Sequence, residues 1–119
     1  MKKLEVIYLR KAQEDIDDIT YYIAEDNLEA AVAFFEAVES TCAILSTMPG
    51  IGSARDFRNP RFAGLRMFPV KRHENFLIFY QSTEEELLVV RVLHGARDIA
   101  ALFEDEENKV RHEAQKWNE

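Results

Sequence analysis

Over residues 3–9 Leu4, Val6 and Tyr8 occupy one parity and alternate with Glu5, Ile7 and Leu9. This predicts a first strand. From Ala12 the period lengthens. Ile16, Ile19 and Ile23 recur at three- and four-residue spacing, so a helix forms with one apolar face and its acids on the other. Asp26-Asn27 interrupts the pattern, and both residue types suit a turn or an N-cap. Ala31, Phe34, Phe35, Val38, Cys42 and Leu45 then trace a second helical stripe. So short a connection predicts that the two helices pack as an antiparallel hairpin.

Met48-Pro49-Gly50 stops the second helix, because proline cannot continue it and glycine tolerates positive φ. Residues 51–64 read as a long surface loop containing several arginines, Gly52, Pro60 and Gly64. Three strands are predicted after it, over 65–71, 75–81 and 86–93, joined by hairpin connections at 72–74 and 82–85. Apolar residues occupy both parities of the last two strands, as in a sheet covered on both faces. Pro69 lacks an amide donor and marks an edge or a bulge. The order β-α-α-β-β-β predicts an α+β fold. An antiparallel meander, with the first strand added, packs its apolar face on the N-terminal helical hairpin.

Composition narrows the class. At 119 residues the chain supports one core, and 47% apolar residues argue against disorder over most of it. No apolar run approaches the roughly 20 residues that span a bilayer. Lys2-Lys3 is followed by Glu5 with no apolar stretch behind it, so no secretory signal is expected. Cys42 is the single cysteine, which excludes an intramolecular disulfide and suits a reducing cytoplasm; it reads as a small buried hydrophobe. No Cys/His spacing suggests zinc, and neither metal nor cofactor is expected.

Net charge is −7, which disfavours direct nucleic-acid binding by the chain alone. The average hides an asymmetry. Ala12 to Ala54 contains no Lys or Arg but nine acids, whereas Arg55 to His73 carries six basic residues against the single acid Asp56. Either a solvated acidic helical face lies beside an ordinary basic loop, or two surfaces of opposite charge serve different partners.

The richest local chemistry is Arg91-Val92-Leu93-His94-Gly95-Ala96-Arg97-Asp98, where an apolar strand stops and ionisable side chains follow at once. His94 suits proton transfer, but with no nucleophile or second catalytic group beside it a hydrogen-bonded turn histidine is the better reading. Gly95 reads as a turn glycine in a conformation closed to other residues. Arg97 and Asp98 pair locally, or Asp98 caps a last helix. Arg91 lies within an apolar strand, so its charge must reach solvent, an acid or a partner's carboxylate. Phe76, Phe79 and Tyr80 read as core.

These segments carry a resemblance. Phe68-Pro69-Val70, Phe76-Leu77-Ile78-Phe79-Tyr80 and His94-Gly95-Ala96-Arg97-Asp98 are similar to the C-terminal half of ParE-type toxins of the RelE/ParE superfamily. Tyr22-Ile23-Ala24-Glu25-Asp26 and Met48-Pro49-Gly50-Ile51-Gly52 are similar as well. The resemblance covers residues 4–103, agrees with the β-α-α-β-β-β order, and implies a toxin domain over 1–103. Residues 104–119 form an acidic extension; Phe103 and, within it, Val110, Ala114 and Trp117 have helix-compatible spacing, so it reads as a helix or as a frayed tail.

The superfamily divides into two chemistries. RelE-like toxins cut messenger RNA on the ribosome, which needs a general base, a general acid and cations around the phosphate. The residues that the resemblance aligns with that set are Phe68 and Val70 for the lysines, Leu77 for the middle arginine, Arg97 for the later arginine and Phe103 for the tyrosine. One expected group survives, so the resemblance implies no catalytic residues. ParE-like toxins poison DNA gyrase and are neutralised by a cognate, ParD-like antitoxin through its C-terminal segment, commonly in even-numbered assemblies. The antitoxin- or target-binding residues expected here are Arg66, Lys71, Arg72, Arg91, His94 and Arg97. The alternatives are a ribosome-dependent ribonuclease with a rearranged site and an antitoxin-binding module without toxicity.

Overall fold

A single residue, Asn27, separates helix α1 (Arg10–Asp26) from helix α2 (Leu28–Thr47). Its extended backbone donates an N–H to Ile23 O, closing α1, and its Oδ1 accepts the Ala30 N–H at 3.1 Å, opening α2. One asparagine is thus both end and start, which forces the antiparallel hairpin expected from the sequence. The computed structural model describes residues 2–97 and 99–103. Asp98, expected as a possible cap, and the 104–119 extension lie outside them.

The hairpin covers one face of a five-stranded sheet ordered β1-β5-β4-β3-β2. Strands β3 (Arg66–Val70), β4 (His73–Ser82) and β5 (Glu86–His94) form the antiparallel meander. Strand β1 (Glu5–Tyr8) joins β5 in parallel, with Glu5 opposite Glu86 and Tyr8 opposite Val89, so the sheet is mixed rather than antiparallel throughout. Alternation along a strand is the same for either direction of pairing, so pattern alone could not reveal this. Strand β2 (Ser53–Ala54) lies in the expected loop and pairs with Met67 and Arg66. Two residues are too few to show a period. Pro69 lies beyond the stretch that β2 covers and next to a register shift between Pro69 and Val70.

Both sheet faces are covered, as the double parity required. Towards the helices, Ile78, Tyr80, Val89 and Val92 meet Ile16, Phe34, Val38 and Leu45. Cys42 is buried there, where burial pushes its thiol pKa up to about 11. Tyr8 shares this core, and burial raises its hydroxyl far above its ordinary value. Phe35 departs from the expected stripe: it points outward and is 41% exposed.

On the opposite face Phe79, Val90 and Leu93 pack under Phe62, Leu65 and Phe103. The Phe103 ring stands 4.6 Å from Phe57, 4.7 Å from Phe62 and 5.4 Å from Phe79, so the helical segment 99–103 closes this second core. Gln81 Nε2 donates to the carbonyls of Arg61 and Ala63, both at 2.9 Å, and holds the covering loop down.

Tyr80 anchors the start of that loop. Its hydroxyl accepts the Gly52 N–H at 2.9 Å and donates to Pro49 O at 2.8 Å. A Cβ on Gly52 would stand 2.4 Å from that oxygen, so glycine is required for close approach. The expectation for Gly95 is corrected: its φ is not positive, and a Cβ there would meet nothing nearer than Asn75 O at 3.4 Å. Among the described residues, Gly64 and Arg72 adopt positive φ. No helix among the described residues is long and apolar enough to cross a membrane.

Candidate functional site

The candidate site takes its shape from an irregularity in β5. Phe79 faces Arg91 and Tyr80 faces Val89, which leaves Val90 as an extra residue in the strand. Val89 and Val92 therefore both reach the helical core, while Val90 and Leu93 reach the opposite one. At this bulge Arg91 turns to α1 and closes its guanidinium on Asp15, with Nε–Oδ2 at 2.7 Å and Nη2–Oδ1 at 3.0 Å. Asp15 Oδ2 also accepts the Val92 N–H at 3.0 Å. Both side chains are nearly buried, at 11% and 12% exposure. Of the three destinations open to the Arg91 charge, an acid of its own chain is the one present, and it fastens α1 to the sheet.

Beyond the bulge the strand ends in a tight turn. Gly95 N–H donates to Asn75 O at 2.7 Å, Arg97 N–H donates to His94 O at 3.1 Å, and His94 Nδ1 accepts the Ala96 N–H at 3.0 Å. That nitrogen is occupied as an acceptor, which matches a turn histidine rather than a poised base. Arg97 projects into solvent beside a small cleft shared with Asp15, Asp18 and Phe76.

The tip of the β3–β4 hairpin lies at this same end of the sheet, because antiparallel pairing sets Phe76 opposite His94. Its two-residue turn is Lys71-Arg72, with Arg72 at φ +69°. The Lys71 N–H donates to Thr41 Oγ1 at 3.0 Å, and Thr41 in turn donates to Ala37 O at 2.7 Å, so the turn is tied to α2. A cleft of about 200 Å³ separates it from Glu36 and Ser40. Edge-on rings bridge the two turns: His73 to Phe34 at 5.4 Å, Phe34 to Phe76 at 5.1 Å, and Phe76 to His94 at 5.1 Å.

Four of the six sequence-derived residues, Lys71, Arg72, His94 and Arg97, thus gather at one end of the sheet. Lys71, Arg72 and Arg97 are exposed, and no ion pair joins them to a described acid. Arg66 stands elsewhere, opposite Tyr80, where its Nη1 donates to Gly52 O at 2.7 Å. Sequence reasoning missed Asp15, Thr41 and His73. Asp15 had a signal, since it adjoins Ile16 on the buried face of α1. Thr41 is buried on α2 between Val38 and Cys42, and a hydroxyl at that spacing gives no sign of the distant backbone it binds. A cationic rim on a rigid aromatic base suits carboxylates of a peptide.

Of the positions aligned with RelE chemistry, Arg97 lies at this end and the other four do not. Phe68 and Val70 pack under the helices, while Leu77 and Phe103 belong to the opposite core. No cluster of metal-ligating side chains occurs among the described residues.

The family model described as ParE toxin of type II toxin-antitoxin system, parDE, matches residues 6–99. The chain belongs to this ParE toxin family. Among solved structures, a chain described as "Chromosomal ParDE TA system from P. aeruginosa" superposes with a TM-score of 0.60 at 20% identity. The match covers 77% of this chain and 96% of that one, a likeness of fold. None of the curated proteins matches.

Proposed function

We propose that this ParE-family chain is a cytoplasmic toxin that poisons DNA gyrase without catalysis of its own. A cognate ParD-like antitoxin neutralises it in a shared oligomer. The observation that carries the non-catalytic reading is the fate of the RelE positions: four of them are apolar and divided between two cores on opposite sheet faces. Aliphatic and phenyl groups neither move protons nor neutralise a phosphate. The antitoxin's C-terminal segment sets acidic side chains against Lys71, Arg72, His94 and Arg97, with Arg66 as an outlying contact, while Arg91 holds the frame behind them. Such pairs steer association and fix register more than they add affinity.

Expression without an antitoxin, followed by incubation of the purified protein with gyrase and supercoiled plasmid, tests this reading. Growth arrest with accumulated cleaved DNA is expected. Arrest with intact DNA and truncated messenger RNA would transfer the protein to the ribonuclease class, and harmless expression with tight antitoxin binding would make it a binding module.

A further inference from the structure

The loop over residues 51–64 carries Arg55, Arg58 and Arg61, no lysine, and the single acid Asp56. The fold sets these arginines on the sheet face opposite the helices, in the layer that Phe57, Phe62 and Phe103 close. The charges that make the chain acidic lie elsewhere. Asp17, Glu25, Glu29, Glu36 and Glu39 are exposed on α1 and α2, across the sheet. A helix layer about 10 Å thick and the sheet itself stand between the two sets, more than the screening length of about 10 Å in 0.1 M salt. The net charge of −7 is therefore a sum over two surfaces that scarcely feel each other.

Lysine would keep a surface loop solvated equally well, so arginine at all three positions points to geometry. The Arg55 guanidinium stands over the Phe57 ring, 5.9 Å from its centroid, and that of Arg61 over Phe62 at 5.7 Å. A guanidinium laid on a ring gives up one face and keeps its N–H edge for an anion. No ion pair joins Arg55, Arg58 or Arg61 to a described acid. The backbone beneath them is pinned: Arg55 N–H donates to Leu65 O at 2.9 Å, Arg61 N–H to Asn59 Oδ1 at 3.0 Å, and Phe62 N–H to Asn59 O at 2.9 Å. Arg55, Arg58 and Asn59 line a cleft of about 290 Å³, together with Phe57 and Phe103.

The surroundings select the ligand. A peptide needs apolar anchors as well as charge, and none of the large apolar side chains exposed on this chain lies within residues 55–62. Phe57 is engaged by Arg55 and Phe103, so the loop offers no free ring on which a base could stack. Cations repeated at three-residue intervals on a fixed loop suit anions repeated along a strand. We infer that Arg55, Arg58 and Arg61 form a contact surface for the phosphodiester backbone of nucleic acid, with the cleft beside Asn59 taking one phosphate. The contact reads charge and not sequence. It is weak for the chain alone and gains force where another partner already holds the chain beside nucleic acid. It does not depend on the gyrase reading.

Anisotropy of a short fluorescent duplex DNA, titrated with the full-length protein at low salt, tests this. Binding is expected, with log affinity falling against log salt at a slope of about −2 to −3, as two or three phosphate contacts require. Arg55→Gln with Arg58→Gln should weaken it roughly tenfold, whereas Lys3→Gln with Arg10→Gln, which removes the same charge beside the opposite edge strand, should cost much less. Arg58→Gln alone, exposed and outside both ring contacts, should flatten the slope by about one with unchanged circular dichroism. No binding at low salt, equal losses in the two double variants, or tighter binding of a glutamate-rich peptide of the same charge would overturn the inference. So would duplex binding that appears only with Glu104→Gln, Glu106→Gln and Glu107→Gln together, which would give the cleft to the acids that follow Phe103 in this chain.

Discussion

The two faces of the sheet are closed by different means. One lies under two long helices and includes a buried ion pair; the other lies under an irregular loop and the short helical segment 99–103, held by a group of phenyl rings. Burial is equally complete on both, since Ile78 and Phe79 are each fully inaccessible. What differs is redundancy. The helical layer is fixed by backbone hydrogen bonds, capping by Asn27 and the Asp15–Arg91 fork, so losing one element leaves an unmatched charge. The loop layer is fixed by rings and two side-chain bonds from Gln81, and it can rearrange around a gap. The helical layer is also tied to Lys71 through Thr41, which holds one of the exposed turns in place.

Arg91→Ala should show the contrast most strongly. It leaves Asp15 nearly buried without its partner, for a loss of about 3–5 kcal/mol in chemical denaturation. Replacing both residues together with leucine should recover most of that loss, because the pair has desolvation to overcome as well as attraction to offer. A single variant no worse than the double would mean that the fork contributes little.

Phe34→Ala and Phe103→Ala compare the layers directly. Both rings are buried, but Phe34 should cost about 3–5 kcal/mol and Phe103 nearer the low end of that range, because segment 99–103 can settle into the space. Hydrogen exchange should separate them further, with protection lost locally around residues 57–62 in the Phe103 variant and globally in the other.

A smaller effect comes from pH. Burial favours the neutral Cys42 thiol, so the fold retains its proton after the unfolded chain has released it. Stability is unaffected below pH about 9.0, the ordinary thiol value, and falls as pH rises towards about 11, by up to roughly 2–3 kcal/mol. Tyr8 and Tyr80, both raised by burial, act in the same direction at higher pH. Equilibrium unfolding at pH 8, 9.5 and 10.5 checks the sign, and Cys42→Ala should flatten the first part of the decline.

The smallest change is Arg72→Gly, which relieves a side chain held at φ +69°. The fold should gain about 1 kcal/mol, while affinity for an acidic peptide at the sheet end should fall. A gain in stability with undiminished affinity would detach Arg72 from the binding surface.

Sequence by itself determined the elements and the kind of protein. Periodicity located both helices and the meander, because a side chain's face follows from its spacing alone, and the motifs of the last two strands carried the family. Double parity in Phe76 to Leu93 announced a sheet buried on both sides. The tertiary structure alone decided direction, partners and exposure. Parallel pairing of β1, the two-residue β2 and the bulge at Val90 are relations between distant segments, and no local pattern encodes them. The sequence set Arg91 in an apolar strand and left three destinations for its charge; only the fold closes it on an acid 76 residues away, while Arg97 stands in solvent. Phe34 and Phe35 are neighbours in the chain; about 100° of helical rotation makes one core and leaves the other exposed.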